Sequence, residues 1–80
     1  MIINTKYFGL IADITKKKEE QLQLEETLIS VASLKSIMEN NYPDLRKTSY
    51  SVAVNQALVG VETNLKEQDV IAFLPPFAGG

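Results

Sequence analysis

The sequence predicts an α+β domain in which one main helix crosses one face of a mixed sheet of about five strands, with an extended C-terminal tail. Three observations lead there. Side chains alternate in character over residues 3–8 and again over residues 21–25, which is the period of a strand. One stripe at helical spacing, Val31, Leu34, Ile37 and Met38, occupies the middle. A last apolar run, Val70 to Leu74, stops at Pro75-Pro76, which removes two ladder donors at once. Eighty residues make one domain near the lower end of what folds without staples. The expected division is a body over residues 1–76 and a flexible tail over residues 77–80.

Taken in order, Ile3, Thr5 and Tyr7 alternate with Asn4, Lys6 and Phe8, a first strand closing at Gly9. Residues 10–14 are too few for a full helix and read as one turn. Lys16-Lys17-Lys18, neutralised at once by Glu19-Glu20, reads as a solvated connection rather than a phosphate site. Gln21-Leu22-Gln23-Leu24-Glu25 resumes the alternation as a second strand with its leucines on one face. Ser30 is a helix N-cap, because its hydroxyl accepts from an orphan amide of the first turn. Asn40-Asn41-Tyr42-Pro43 ends the helix, since proline disfavours helical geometry in the residue before it.

Beyond a polar loop, residues 50–54 and 57–59 form a hairpin about Asn55-Gln56, asparagine tolerating the left-handed backbone of a tight turn. Gly60 marks a bulge or strand end, and residues 64–69 are a second polar turn region. The helix stripe then faces Ile3, Leu22, Leu24, Val54, Ile71 and Phe73. Each such side chain contributes roughly 1.5–3 kcal/mol when fully buried, largely offset by chain entropy.

Composition excludes several functions. Without cysteine there are no disulfides or thiolate ligands, and without histidine the usual neutral-pH base and commonest metal ligand are missing, so no metal is expected. A net charge of −2 and a pI near 5.0 argue against nucleic acid. No segment approaches the ~20 apolar residues of a membrane span, and the N-terminus lacks a signal-peptide pattern, so the expected address is the cytoplasm. The carboxylates show no catalytic spacing, which makes a stand-alone enzyme the weakest class.

The most informative feature is the ending, Leu74-Pro75-Pro76-Phe77-Ala78-Gly79-Gly80. Two final glycines present a carboxylate with no side chain beside it, so a narrow active-site tunnel can admit it. Gly79 relaxes the last peptide, Ala78 keeps the thread thin, and the prolines send it off in an extended direction. Residues 77–80 span at most about 13–14 Å.

These residues, with Tyr7-Phe8, Ser30-Val31-Ala32-Ser33-Leu34, Ala53-Val54-Asn55-Gln56 and the run from Asp69 to Gly80, resemble the small subunit of molybdopterin synthase, a ubiquitin-like sulfur carrier of the β-grasp fold. The resemblance covers essentially the whole chain. It implies no stably bound cofactor but a cycle at the Gly80 carboxylate. An adenylyltransferase resembling ubiquitin-activating enzymes makes the acyl-adenylate from ATP, and a sulfurtransferase supplies persulfide sulfur to leave a thiocarboxylate. The large synthase subunit then receives the tail, and sulfur passes to cyclic pyranopterin monophosphate to build the molybdopterin dithiolene. Similar proteins form a heterotetramer of two small and two large subunits. Thiamine-thiazole sulfur carriers and ubiquitin-like protein modifiers share the chemistry and remain the alternative. A non-catalytic interaction domain of the same shape is a third reading.

Two departures accompany the resemblance. Ala12-Asp13 stands where similar chains often carry Arg-Glu, so no ionic partner contact is expected from this turn. Gln68 stands where they often have glycine, and at about 1 kcal/mol or more for a left-handed glutamine the turn is expected to differ locally. On the last strand Leu74 points away from Ile71 and Phe73. The outer sheet face is therefore expected to carry Phe8, Leu58 and Leu74 and, with Pro75, Pro76, Phe77 and Ala78, to meet the partners.

Overall fold

The computed structural model describes residues 1–76. Five strands, β1 (Ile2–Tyr7), β2 (Glu19–Gln23), β3 (Ser51–Val54), β4 (Ala57–Leu58) and β5 (Val70–Leu74), form one sheet in the order β2-β1-β5-β3-β4. The β1–β5 pair is parallel and the other neighbours are antiparallel, so the sheet is mixed as expected. Helix α1 (Leu10–Thr15) joins β1 to β2, and α2 (Val31–Asn41) packs on one face.

The main helix starts where the serine predicts. Ser33 N donates to Ser30 Oγ at 3.2 Å. Two more first-turn amides are satisfied from outside the helix, Val31 N by Thr63 O at 2.8 Å and Ala32 N by Val61 O at 2.9 Å. Val31, Leu34 and Met38 are buried against Ile3, Tyr7, Val52, Ile71 and Phe73. Ile37, Leu22, Leu24 and Val54, expected inside, lie half-buried at the rim. Places nearer the centre go to Ile11, Ile29, Leu45 and Leu65, which hold no position in a periodic stripe.

Three local expectations are corrected. The segment after Gly9 is a six-residue helix rather than a single turn, because Ile11 and Thr15 bury one side of it and Lys16, at φ 62°, closes it in the left-handed conformation. The loop after Pro43 is a 3₁₀ turn, Pro43–Lys47, organised by fully buried Leu45. Strand β2 begins two residues earlier than predicted and ends at Gln23, its register being set by pairing of Lys6 with Glu19 and Ile2 with Gln23.

A polar cluster sits between β1, β2 and the end of α2. Tyr7 Oη donates to Glu20 Oε2 at 2.5 Å and Tyr42 Oη to the same oxygen at 3.2 Å, while Lys17 Nζ reaches Glu20 Oε1 at 3.0 Å. Desolvation opposes ionisation of Glu20, but these donors together outweigh it and hold the carboxyl below its ordinary 4.5. Burial first, then the Glu20 hydrogen bond, pushes the Tyr7 phenol up, so it stays a neutral donor. The Tyr7 ring also packs on Phe73 at 5.7 Å between centroids, tying this cluster to the last strand.

Candidate partner face and tail-launching site

Strand alternation divides the sheet cleanly. Thr5 pairs with Ile71, Tyr7 and Val52 with Phe73, and Val54 with Ile71, all toward the helix. The opposite face then holds Lys6, Ala72, Ala53 and Leu58 in one row and Leu74 and Ser51 in the next. Phe8 follows β1 directly, its N–H donating to Phe73 O at 3.3 Å, which brings it alongside Leu74. Leu58 is 70 % exposed and Phe8 45 %, with Leu74 half-buried between them. One helix covers only one side of the sheet, which leaves this apolar surface open.

The last strand is held differently at its two ends. At its start Asp69, only 8 % exposed, accepts from Asn55 Nδ2 at 2.9 Å and Lys66 N at 2.8 Å. Asn55 in turn accepts from Val70 N at 3.0 Å and donates its own N–H to Val70 O at 2.8 Å. Asn55 and Gln56, at φ 50° and 74°, form the two-residue hairpin turn, and the asparagine side chain staples that turn to β5.

Gln68 corrects an expectation. The turn keeps left-handed geometry, φ 68°, despite the missing glycine. Its N–H donates to Ile2 O at 2.7 Å, and its Oε1 accepts from Asn4 Nδ2 at 3.2 Å. A tertiary hydrogen bond thus compensates part of the conformational cost.

At its far end β5 pairs Leu74 with Ser51 and stops. Pro75 is half-buried and Pro76 exposed. Pro75 lies against Gly9, whose φ of 53° and ψ of −129° suit a residue without Cβ. Sequence pattern ends β1 at Gly9 without pairing that glycine with Pro75, and only the fold brings them together. The expected roles of Phe77, Ala78, Gly79 and Gly80 lie outside the described residues. Ala12 and the lysine run border the Phe8 end of the sheet, with Lys17 engaged by Glu20. Among the described residues no group of His, Cys, Asp and Glu side chains converges as a metal site, and no helix is long and apolar enough to cross a membrane.

The described residues define a small β-grasp body whose last strand ends at two prolines. The chain belongs to the ThiS family, whose model matches residues 5–80. It is 34% identical to the molybdopterin synthase sulfur carrier subunit of Mycobacterium tuberculosis, over 98% of this chain and 96% of that protein. A structure from Pyrococcus furiosus, described as molybdopterin converting factor subunit 1, superposes with a TM-score of 0.87 at 22% identity, over 96% of this chain and 99% of the other. A Helicobacter pylori chain solved in a complex of subunits 1 and 2 of molybdopterin-converting factor matches with a TM-score of 0.72 and 26% identity, over all of both chains. The resemblance to the small subunit of molybdopterin synthase therefore holds in both sequence and fold.

Proposed function

We propose that this chain carries sulfur for a molybdopterin synthase on the C-terminal carboxyl group of Gly80. The observation carrying the proposal is the 34% identity, over nearly the whole of both chains, with the Mycobacterium tuberculosis sulfur carrier subunit. The open outer face beside Pro75 supports it, because a carrier must be gripped by several partners in turn while its tail stays free to enter them. The setting is the cytoplasm, and the large subunit completes a heterotetramer.

The chemistry is the cycle that the resemblance implies. A carboxylate resists nucleophiles, so the adenylyltransferase joins Gly80 to AMP and releases pyrophosphate from ATP. The terminal sulfur of a sulfurtransferase persulfide attacks the acyl carbon and AMP leaves. A thiol reductant then cleaves the resulting S–S bond, leaving the thiocarboxylate. In the large subunit that sulfur bonds to a carbon of cyclic pyranopterin monophosphate, and water hydrolyses the acyl–sulfur bond to restore the carboxylate. Two rounds supply both dithiolene sulfurs. With no cysteine the chain cannot supply the sulfur itself, so the sulfur comes from a partner.

Intact-mass spectrometry of the protein from its own cells tests the carrier step: one terminal oxygen replaced by sulfur is expected. The mass also reads whether Gly80 is the final residue. Mixing the thiocarboxylated chain with its large subunit and cyclic pyranopterin monophosphate tests the acceptor. Dithiolene formation is expected, whereas a thiocarboxylate that yields none moves the chain to thiazole synthesis or protein modification.

A further inference from the structure

Gly9 and Pro75 bring the β1–α1 turn close to the end of β5. A Cβ built on Gly9 falls 2.9 Å from Pro75 Cγ, 3.7 Å from its Cβ and 3.8 Å from its Cδ. Carbon atoms prefer about 3.5–4.0 Å, so the first distance is a collision. The opposing atom belongs to a closed ring, so a change of pucker is its only retreat that leaves the proline backbone in place. The glycine conformation is itself one that side-chain-bearing residues rarely adopt.

The turn that carries Gly9 is anchored. Ile11 is fully buried and donates its N–H to Phe8 O at 3.0 Å, Asp13 N donates to Gly9 O at 3.3 Å, and Phe8 N donates to Phe73 O. Pro75 has the opposite character. It comes just after the last ladder pair, Leu74 with Ser51, and has no N–H with which to extend the sheet. Its direction therefore depends on its locked φ and on what its ring rests against. The bare α-carbon of Gly9 lies against that ring.

We propose that Gly9 is a positioning residue for the tail: it seats the Pro75 ring and so sets the direction in which the chain leaves the sheet toward the partner's active site. The inference rests on the proposed carrier function for its consequence, but the seat itself is a property of the isolated chain. A Cβ at position 9 displaces the ring and misdirects the reacting end, while the outer face that grips the partner stays in place. Misplacement by about 1 Å at a reacting centre costs up to about a hundredfold in rate.

The test is a double-mutant cycle with an independent structural arm. Gly9→Ala is expected to lower kcat for sulfur transfer in the large-subunit complex about tenfold, with affinity for that subunit unchanged within about threefold. In a Pro75→Ala background, where the colliding Cγ is gone, the loss is expected to shrink at least about threefold, with backbone strain at position 9 accounting for what is left. Equal losses in both backgrounds, or a loss confined to affinity, would overturn the proposal. In the unmodified protein, nuclear Overhauser contacts between the Gly9 α-protons and the Pro75 ring are expected. Their absence from a chain that does transfer sulfur defeats the seat alone, even if the Gly9 variant fails to fold. A thiocarboxylated chain without substitutions that transfers no sulfur in the large-subunit complex defeats the proposed synthase function instead, even with those contacts present.

Discussion

The two ends of β5 are built by opposite means. At Asp69 the strand begins in a lattice of hydrogen bonds from Asn55 and Lys66, supplemented on either side by the Asn55–Val70 pair and the Gln68–Asn4 bond. Past Leu74 it ends at two prolines, with backbone pairing finished and the first of them lying against Gly9. A strand clamped at its start and released at its end is suited to presenting a tail. The clamp holds register, so that Phe73 enters the core and Leu74 the outer face.

The severest challenge to this contrast is at the released end. Appending one alanine after Gly80 is expected to abolish ATP–pyrophosphate exchange by the adenylyltransferase, since the new carboxylate carries a side chain beside it. Undiminished exchange would mean that the released end is not the reacting one. At the clamped end, Asp69→Ala removes a nearly buried acceptor with two donors and is expected to cost about 2–4 kcal/mol in chemical denaturation. A loss below about 0.5 kcal/mol would show that the clamp holds nothing.

Leu74→Glu sharpens the comparison, because it changes the outer face and spares the core. Affinity for the large subunit should fall at least about tenfold while unfolding free energy changes by less than about 1 kcal/mol. Intact affinity in a folded variant would remove Leu74 from the partner surface. Between the two ends, the Glu20 cluster predicts an acid response. The folded carboxyl titrates below 4.5, so its contribution is present above that pH and is lost as pH falls through the folded value. The stability of Glu20→Gln should therefore vary less across that acid range, and superimposable pH profiles would exclude Glu20 as a cause. The smallest effect belongs to Gln68→Gly, which relieves left-handed strain but gives up one exposed hydrogen bond. A net gain of about 0.5 kcal/mol is expected, and a loss would mean that the Asn4 contact outweighs the strain.

Much of this architecture was legible in local pattern. Ser30 marked the helix start because capping is chemistry within one turn, and Asn55-Gln56 marked the hairpin because its two residues must accept positive φ. The alternation on β1 and β5 assigned inner and outer faces correctly, and on that basis Phe8, Leu58 and Leu74 were placed on one surface. Burial of Leu45 was not legible, because its neighbours are polar and a 3₁₀ turn offers no stripe. The leucines of the second strand misled in degree: β2 is an edge strand, so Leu22 reaches only the rim of the core.

By itself the sequence determined the number and order of the strands, which helix covers them, and that the last strand stops at two prolines before a glycine pair. Those properties arise from spacing, propensity and missing donors, all local to the chain. Tertiary structure alone decided that Asn55 would staple Asp69, that Glu20 would collect Tyr7, Tyr42 and Lys17, and that Gly9 would lie beneath Pro75. Each joins residues more than two positions apart in sequence, and Gly9 and Pro75 come from near opposite ends. No periodicity encodes such meetings, because they depend on the parallel pairing of the first and last strands and on how closely the packed core lets two backbones approach.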